Sequence, residues 1–244
     1  MRAAILSDVH ANREALEAVE ARLADLRVDR VFFLGDAVGY NADPSYCLAR
    51  ISALAEQAVR GNHDKTVADA ENLDWFNDVA RRALVWTRTS LGEEDLRRLA
   101  SLPRGPLAAG RGWVLCHGSP ADEDQYLTRP RDAQEAFRFL ASAFPEARLA
   151  FFGHTHVPLI VADKGRAASP PERFPLREGV RYLINPGSVG QPRDRNPQAS
   201  FGVLDEGEQV YEHYRVPYPV EKTQGKILAA GLPGMLADRL AGGW

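Results

Sequence analysis

Five short apolar runs in this 244-residue chain end in the same kind of chemistry. Ile5-Leu6 leads to Asp8 and His10, and Phe33-Leu34 leads to Asp36. Ala58-Val59 leads to Asn62, His63 and Asp64, Val114-Leu115 to His117, and Phe151-Phe152 to His154 and His156. Apolar runs this short, bounded by glycine and polar residues, read as buried strands. Five of the six histidines therefore stand just past strand ends. In α/β sheets ligands bind at that edge, because strands running the same way bring residues distant in sequence to one place. Asp8, His10, Asp36, Asn62, His117, His154 and His156 are thereby expected to converge.

The intervening segments fit an α/β fold. Residues 1–36 read as strand, helix and strand, the helix opened by Asn12 and striped by Leu16, Val19, Leu23 and Leu26. A second helix follows Asp43-Pro44, an N-cap and then a proline at a position where no N–H is needed. Residues 58–60 read as a short strand, 73–101 as two helical pieces of which Asn77 caps the first, and 132–143 as a further helix. The second half is strand-rich, with "WVLC", "LAFF", "LIVA", "YLI", "FGVL" and "QVYEHYRV" in succession. Residues 163–179 read as a surface loop, and the segment from Pro219 as helix broken at Gly231-Leu232-Pro233-Gly234. One domain spanning 1–244 is expected, with 217–244 a helical tail packed on it.

Thirty basic against 33 acidic side chains give a net charge of -3, which offers no chain-wide attraction for nucleic acid or an anionic membrane. No stretch approaches the ~20 apolar residues of a membrane span. Cys47 and Cys116 are too few for a disulfide framework, and Asp8 interrupts the start before a signal-length apolar stretch develops. A cytoplasmic protein is expected, with homo-oligomerisation left open.

Seven oxygen and imidazole donors exceed what one tetrahedral ion accepts. Divided between two ions that share a carboxylate, they give each ion four protein ligands and room for water. Asp36 is the natural bridge, since a carboxylate can hold two cations ~3.5–4 Å apart, and Gly35 before it permits close backbone approach. A nitrogen and oxygen set without thiolate suits manganese, iron, cobalt, nickel or zinc and disfavours calcium. Manganese is the favoured ion.

In this order, "DVH", "GD", "GNHD", "HG" and "GHTH" resemble the calcineurin-like metallophosphoesterase superfamily. "LINPGSVGQPRD" (183–194) resembles its small prokaryotic phosphodiesterase branch. The resemblance implies a four-layer α-β-β-α sandwich, two packed β-sheets flanked by helices. It also implies the division of ligands: Asp8, His10 and His156 with Asp36 around one ion, and Asn62, His117 and His154 with Asp36 around the other. The implied substrate is a phosphate ester, a phosphodiester in preference to a monoester. Attack would come from a water or hydroxide held between the ions, with the ions and the Asn62 amide neutralising phosphoryl charge. His63, next to a ligand but spare from the ligand count, suits the general acid, and Asp64 would orient it. Ala11 and Asp64 stand where many relatives carry glycine and glutamate, and neither change removes a ligand.

Other marked residues have simpler readings. Asn12 reads at least as well as an N-cap as a substrate contact, Cys116 points by strand alternation away from His117 into core, and His213 has a structural or solvated role. Trp75, Phe76 and Trp86 read as core packing, and Arg193 and Arg195 as solvated loop residues before phosphate-steering ones. "NPGS" (185–188) reads equally as a tight turn or as a backbone cradle for phosphate. Two alternatives compete with a phosphodiesterase. One is a phosphomonoesterase or protein phosphatase. The other is a non-catalytic interaction scaffold, as in a retromer subunit of the same fold, against which the full ligand set argues. A metallo-β-lactamase-like hydrolase would need an H-x-H-x-D-H run, which "HTHVPLI" does not supply.

Overall fold

The computed structural model describes residues 1–165 and 167–244; Arg166, inside the expected loop at 163–179, lies outside the described residues. The first third runs β1 (Arg2–Leu6), α1 (Arg13–Leu26), β2 (Arg30–Phe33), α2 (Pro44–Leu54), β3 (Gln57–Ala58) and α3 (Asn62–Asp69). After one 3-10 turn at Leu73–Trp75 come α4 (Asp78–Ser90) and α5 (Glu93–Ala100). Then follow β4 (Leu107–Ala109), β5 (Trp113–Leu115), α6 (Pro130–Ala143), β6 (Leu149–Phe151), β7 (Leu159–Ala162), β8 (Arg173–Pro175) and β9 (Tyr182–Asn185). The hairpin β10 (Ala199–Asp205) and β11 (Val210–Val216) precedes α7 (Val220–Ala229) and α8 (Gly234–Gly242).

These strands form two mixed sheets, ordered β3-β2-β1-β10-β11-β8 and β4-β5-β6-β9-β7. Within them β1, β2 and β3 are parallel, as are β5, β6 and β9. Side-chain alternation then builds the layers. Ala3 and Ile5 face the other sheet, in a core with Phe32, Leu34, Leu115, Phe151, Ile184 and Tyr211. Their neighbours Ala4 and Leu6 face outward beneath Leu16, Val19 and Leu23 of α1 and Ile51 of α2. On the second sheet Val114, Cys116, Ala150 and Phe152 pack against Ala133, Ala136 and Leu140 of α6. The result is the α-β-β-α sandwich, with Cys116 in the outer layer as alternation requires. Each fully buried leucine or phenylalanine in these layers contributes about 1.5–3 kcal/mol.

Three local expectations change. Residues 173–175 inside the expected loop form β8, which pairs Phe174 with Tyr211; its partner lies far along the chain, so local composition does not reveal it. The third apolar run pairs at 57–58, not 58–60, and Asn62 opens α3. Asp64 explains this start, because its carboxylate accepts the Gly61 N–H at 3.0 Å, half of a capping box. Trp75 is 73% exposed and belongs to no core.

Asn12 and Asn77 cap their helices as expected. The terminal helices also break where expected, and Ile227, Leu232, Leu236 and Leu240 pack against Ala80, Ala83 and Tyr40. Buried Glu14 holds them electrostatically through Lys226 at 2.7 Å, and Lys226 also reaches Asp43 at 2.6 Å. Among the described residues no helix is long and apolar enough to cross a membrane.

Candidate metal centre

The loops after β1, β2 and β6 must turn at once to aim polar side chains back over the sheet edge. Asp8, His10, Asp36, His154 and His156 accordingly have φ between 48° and 64°, the left-handed region. A non-glycine residue costs about 1–2 kcal/mol there and persists only where its surroundings over-determine it. Here backbone bonds do so: the Asp8 N–H donates to the Gly35 carbonyl at 3.0 Å and the His10 N–H to the Asp36 carbonyl at 2.9 Å. The ends of β2 and β3 meet so closely that a Cβ on Gly35 would sit 2.5 Å from the Gly61 nitrogen, and Gly35 has φ +100°. The close approach expected of Gly35 is thus a fact of the fold.

Two groups of donor atoms result. Asp8, His10, Asp36 and His156 offer atoms within 4.8 Å of one another, as do Asp36, His117 and His154, and all are buried. Asp36 belongs to both. Its Oδ1 accepts the His63 N–H at 2.9 Å, while Oδ2 faces His10 Nε2 at 3.5 Å and His117 Nε2 at 3.3 Å. Asn62 joins the second group, with Oδ1 3.1 Å from His117 Nε2. All seven residues singled out from the sequence are therefore gathered.

Backbone carbonyls fix the rings. His10 Nδ1 lies 3.1 Å from the Val38 carbonyl, His117 Nδ1 2.8 Å from Leu34, His156 Nδ1 2.6 Å from Gln191, and His154 Nε2 3.1 Å from Asp124. A carbonyl only accepts, so each of these nitrogens carries the hydrogen and the opposite nitrogen faces the centre; in His10, His154 and His156, held neutral by burial, that nitrogen keeps its lone pair. In consequence His10 Nε2 and His156 Nε2 point at each other across 3.0 Å with no proton between them. Asp8 Oδ1 is buried without a hydrogen-bond partner, 3.3 Å from His156 Nε2. Opposed lone pairs beside an unpartnered carboxylate oxygen fit a cation. These are buried histidine and aspartate groups of the kind that bind divalent metal.

Titration follows from the same packing. Burial pushes Asp8 up to about 7, against the charge of His117. Burial also opposes the Asp36 carboxylate, yet the charges of His117 and His63 hold it well below the usual range. Burial lowers His10 and His156 strongly, His154 to about 3 and His63 to about 4. His117 goes the other way, to about 10, because Asp36 outweighs burial.

His63 stands in neither donor group, consistent with its place outside the ligand count. Its ring lies 4.7 Å from that of His10, 4.4 Å from Tyr40 and 5.2 Å from Phe76. Gly39 leaves the room, since a Cβ there would come 2.3 Å from His63 Nδ1. Asp64 does not orient this ring. Its carboxylate accepts the N–H groups of Asp36, Ala37 and Gly61 at 2.7, 2.9 and 3.0 Å, bracing the Asp36 loop. "NPGS" is likewise a brace and not a phosphate cradle. The Ser188 hydroxyl donates to the Asp8 carbonyl at 2.8 Å, and the Gly187 N–H is taken by Asn185 Oδ1. His213 Nε2 sits 2.8 Å from the Ser200 hydroxyl, away from the centre, in the structural role expected.

Two neighbours escaped the sequence reading. Tyr126 stacks on His154 with ring centroids 3.8 Å apart, and nothing in its sequence context marks it. Arg193, read as a solvated loop residue, is half-buried with its guanidinium over Tyr40. Arg195 is exposed, as expected.

With this geometry in hand, comparison with known proteins is informative. Residues 1–209 match the family model described as a calcineurin-like phosphoesterase superfamily domain. A protein of Methanocaldococcus jannaschii, itself uncharacterised, is 36% identical over 241 residues, covering 97% of this chain and 96% of its own. The crystal structure of a metallophosphoesterase from Sphaerobacter thermophilus superposes with TM-score 0.87 at 39% identity, covering 100% of this chain and 99% of that one. A hypothetical protein from Pyrococcus horikoshii shares the fold with TM-score 0.79 at 19% identity, covering 100% and 98%.

Proposed function

Because this chain belongs to the calcineurin-like phosphoesterase superfamily, we propose that it is a di-metal phosphoesterase that hydrolyses phosphodiester bonds. The observation that carries the reading is Asp36 Oδ2, one carboxylate oxygen facing donors of both groups. Asp8, His10 and His156 would hold one divalent ion and Asn62, His117 and His154 the other, with Asp36 between them. Ions bound there would supply positive charge to the phosphoryl oxygens and make water a nucleophile near neutral pH. Manganese is our first choice of ion. Residues 1–244 would act as one catalytic domain.

The protein groups divide the remaining work. The Asn62 amide places a dipole where phosphoryl charge develops. Asp64 and the carbonyls behind each imidazole keep the donors in place, so that little reorganisation is needed during reaction. His63 would protonate the leaving oxygen. Burial keeps its ring neutral, down at about 4, so the proton is favoured there only once an anionic phosphate lies beside it. The preference for diesters rests on the sequence resemblance in residues 183–194.

The test is hydrolysis of bis-p-nitrophenyl phosphate and p-nitrophenyl phosphate with manganese, with and without chelator. Chelator-sensitive cleavage of the diester faster than the monoester is the expected result. Cleavage of neither, with no metal retained, would leave an interaction scaffold as the better reading.

A further inference from the structure

Among the described residues Arg193 is a cation that no carboxylate pairs with directly. One of its terminal nitrogens lies 3.2 Å from Gln191 Oε1 and 3.4 Å from the Tyr40 hydroxyl, both uncharged, and its Nε is buried without a partner. Among the described residues it forms no ion pair. Its position is tied to the centre through the backbone. The Arg193 N–H donates to the His156 carbonyl at 3.3 Å, and His156 Nδ1 donates to the Gln191 carbonyl. The segment that fixes His156 thus also presents the arginine. Its guanidinium lies 5.8 Å from the Tyr40 ring, which in turn packs 4.6 Å from His10 and 4.4 Å from His63.

A half-buried guanidinium held beside a cation-binding centre is costly unless an anion completes the arrangement. Arg239 of α8 adds to that cost, because burial and then the like charge of Arg193 both disfavour its guanidinium. The loop and the end of α8 are joined where the Arg195 N–H donates to the Gly243 carbonyl at 2.7 Å. A planar fork of N–H donors matches phosphate oxygens. The Tyr126 hydroxyl lies near the Arg193 guanidinium, and one face of its ring covers His154 while the residue remains 47% exposed.

We propose that Arg193 anchors the substrate phosphate and that the open face of Tyr126 packs against a flat organic group esterified to it, as a nucleoside would present. The proposal rests on the phosphoesterase reading and names the substrate class of that same centre. Tyr126 reaches this position because the Asp124 carbonyl engages His154 while Lys65 grips the Asp124 carboxylate at 2.6 Å.

The experiment compares manganese-loaded wild-type protein with Arg193→Gln, Arg193→Lys and Tyr126→Ala. Inorganic phosphate binding is read by calorimetry, alongside metal content, thermal unfolding, and KM and kcat for bis-p-nitrophenyl phosphate. Arg193→Gln should weaken phosphate binding on the order of 10-fold or more, the loss of a charge-assisted hydrogen bond, with metal content unchanged. Arg193→Lys should recover part of that loss, and it serves as the informative variant if the glutamine protein unfolds. Tyr126→Ala should raise KM for the aromatic diester about 5-fold or more and leave phosphate affinity alone. Phosphate affinity equal to wild type in both arginine variants would overturn the anchor, even in a protein that hydrolyses the diester. Arginine-dependent phosphate binding without any hydrolysis would support the anchor and count against the phosphoesterase reading instead.

Discussion

The two donor groups around Asp36 each set two histidines against its carboxylate and differ in how the protein satisfies them. In the first, His10 Nε2 and His156 Nε2 face each other at 3.0 Å and Asp8 Oδ1 has no partner. In the second, His117 Nε2 has Asn62 Oδ1 at 3.1 Å and Asp36 Oδ2 at 3.3 Å, so an internal ion pair settles the charges. The first arrangement leaves lone pairs that a cation would satisfy, and the second satisfies its own with a proton. Donor identity alone does not decide how a metal site behaves. What matters is whether its lone pairs have anything else to face.

The change that tests this pairing most severely is Asp36→Asn, which removes the charge common to both halves. We expect loss of both ions by metal analysis and a fall in turnover on the order of 10^4-fold. Retention of one full equivalent of metal would show that the halves are independent. Next is His63→Ala, outside both groups. It should keep the metal and lower turnover about 10^2–10^3-fold, the usual worth of a general acid; unchanged kcat would remove the role.

The contrast itself is sharpened by stability measured in urea on chelated protein. His117→Ala leaves Asp36 buried and unpaired, a loss of about 3–5 kcal/mol. His156→Ala removes one of two opposed lone pairs, so it should cost at least ~2 kcal/mol less. Equal losses would mean that the halves do not differ as described.

The smallest effect is in pH. His10, His63, His154, His156 and His213 are held below the ordinary histidine value, so their contribution is lost as pH falls through 6.5, where the unfolded chain takes up protons the folded one refuses. Asp8, Asp64 and His117 are raised, to about 7, 6 and 10, and their contributions fade as pH rises through those values. The lowered imidazoles outnumber the raised groups, so the chelated protein should melt a few degrees lower at pH 5 than at pH 6.5. A flat profile over that range would mean the rings are open to water.

Much of this was legible in the chain. Apolar runs ending in aspartate and histidine specified parallel strands and a shared edge, Asn12 and Asn77 announced their helices, and the break at 231–234 stood in the sequence. Such features are local: caps, periodicity and strand alternation act within a few residues. β8 was hidden because its pairing partner lies more than thirty residues on. Trp75 looked like core because helical spacing cannot say whether anything packs against that face.

The sequence by itself determined which side chains could meet a metal and in what order the strands would deliver them. Only the tertiary structure decided what those side chains face. It turned Asp64 from His63 to the backbone of the Asp36 loop, set His10 and His156 lone pair to lone pair, and left Arg193 over Tyr40 without an ion-pair partner among the described residues. The physical reason is that hydrogen-bond satisfaction and burial belong to pairs of groups far apart along the chain. No single stretch of residues carries that information.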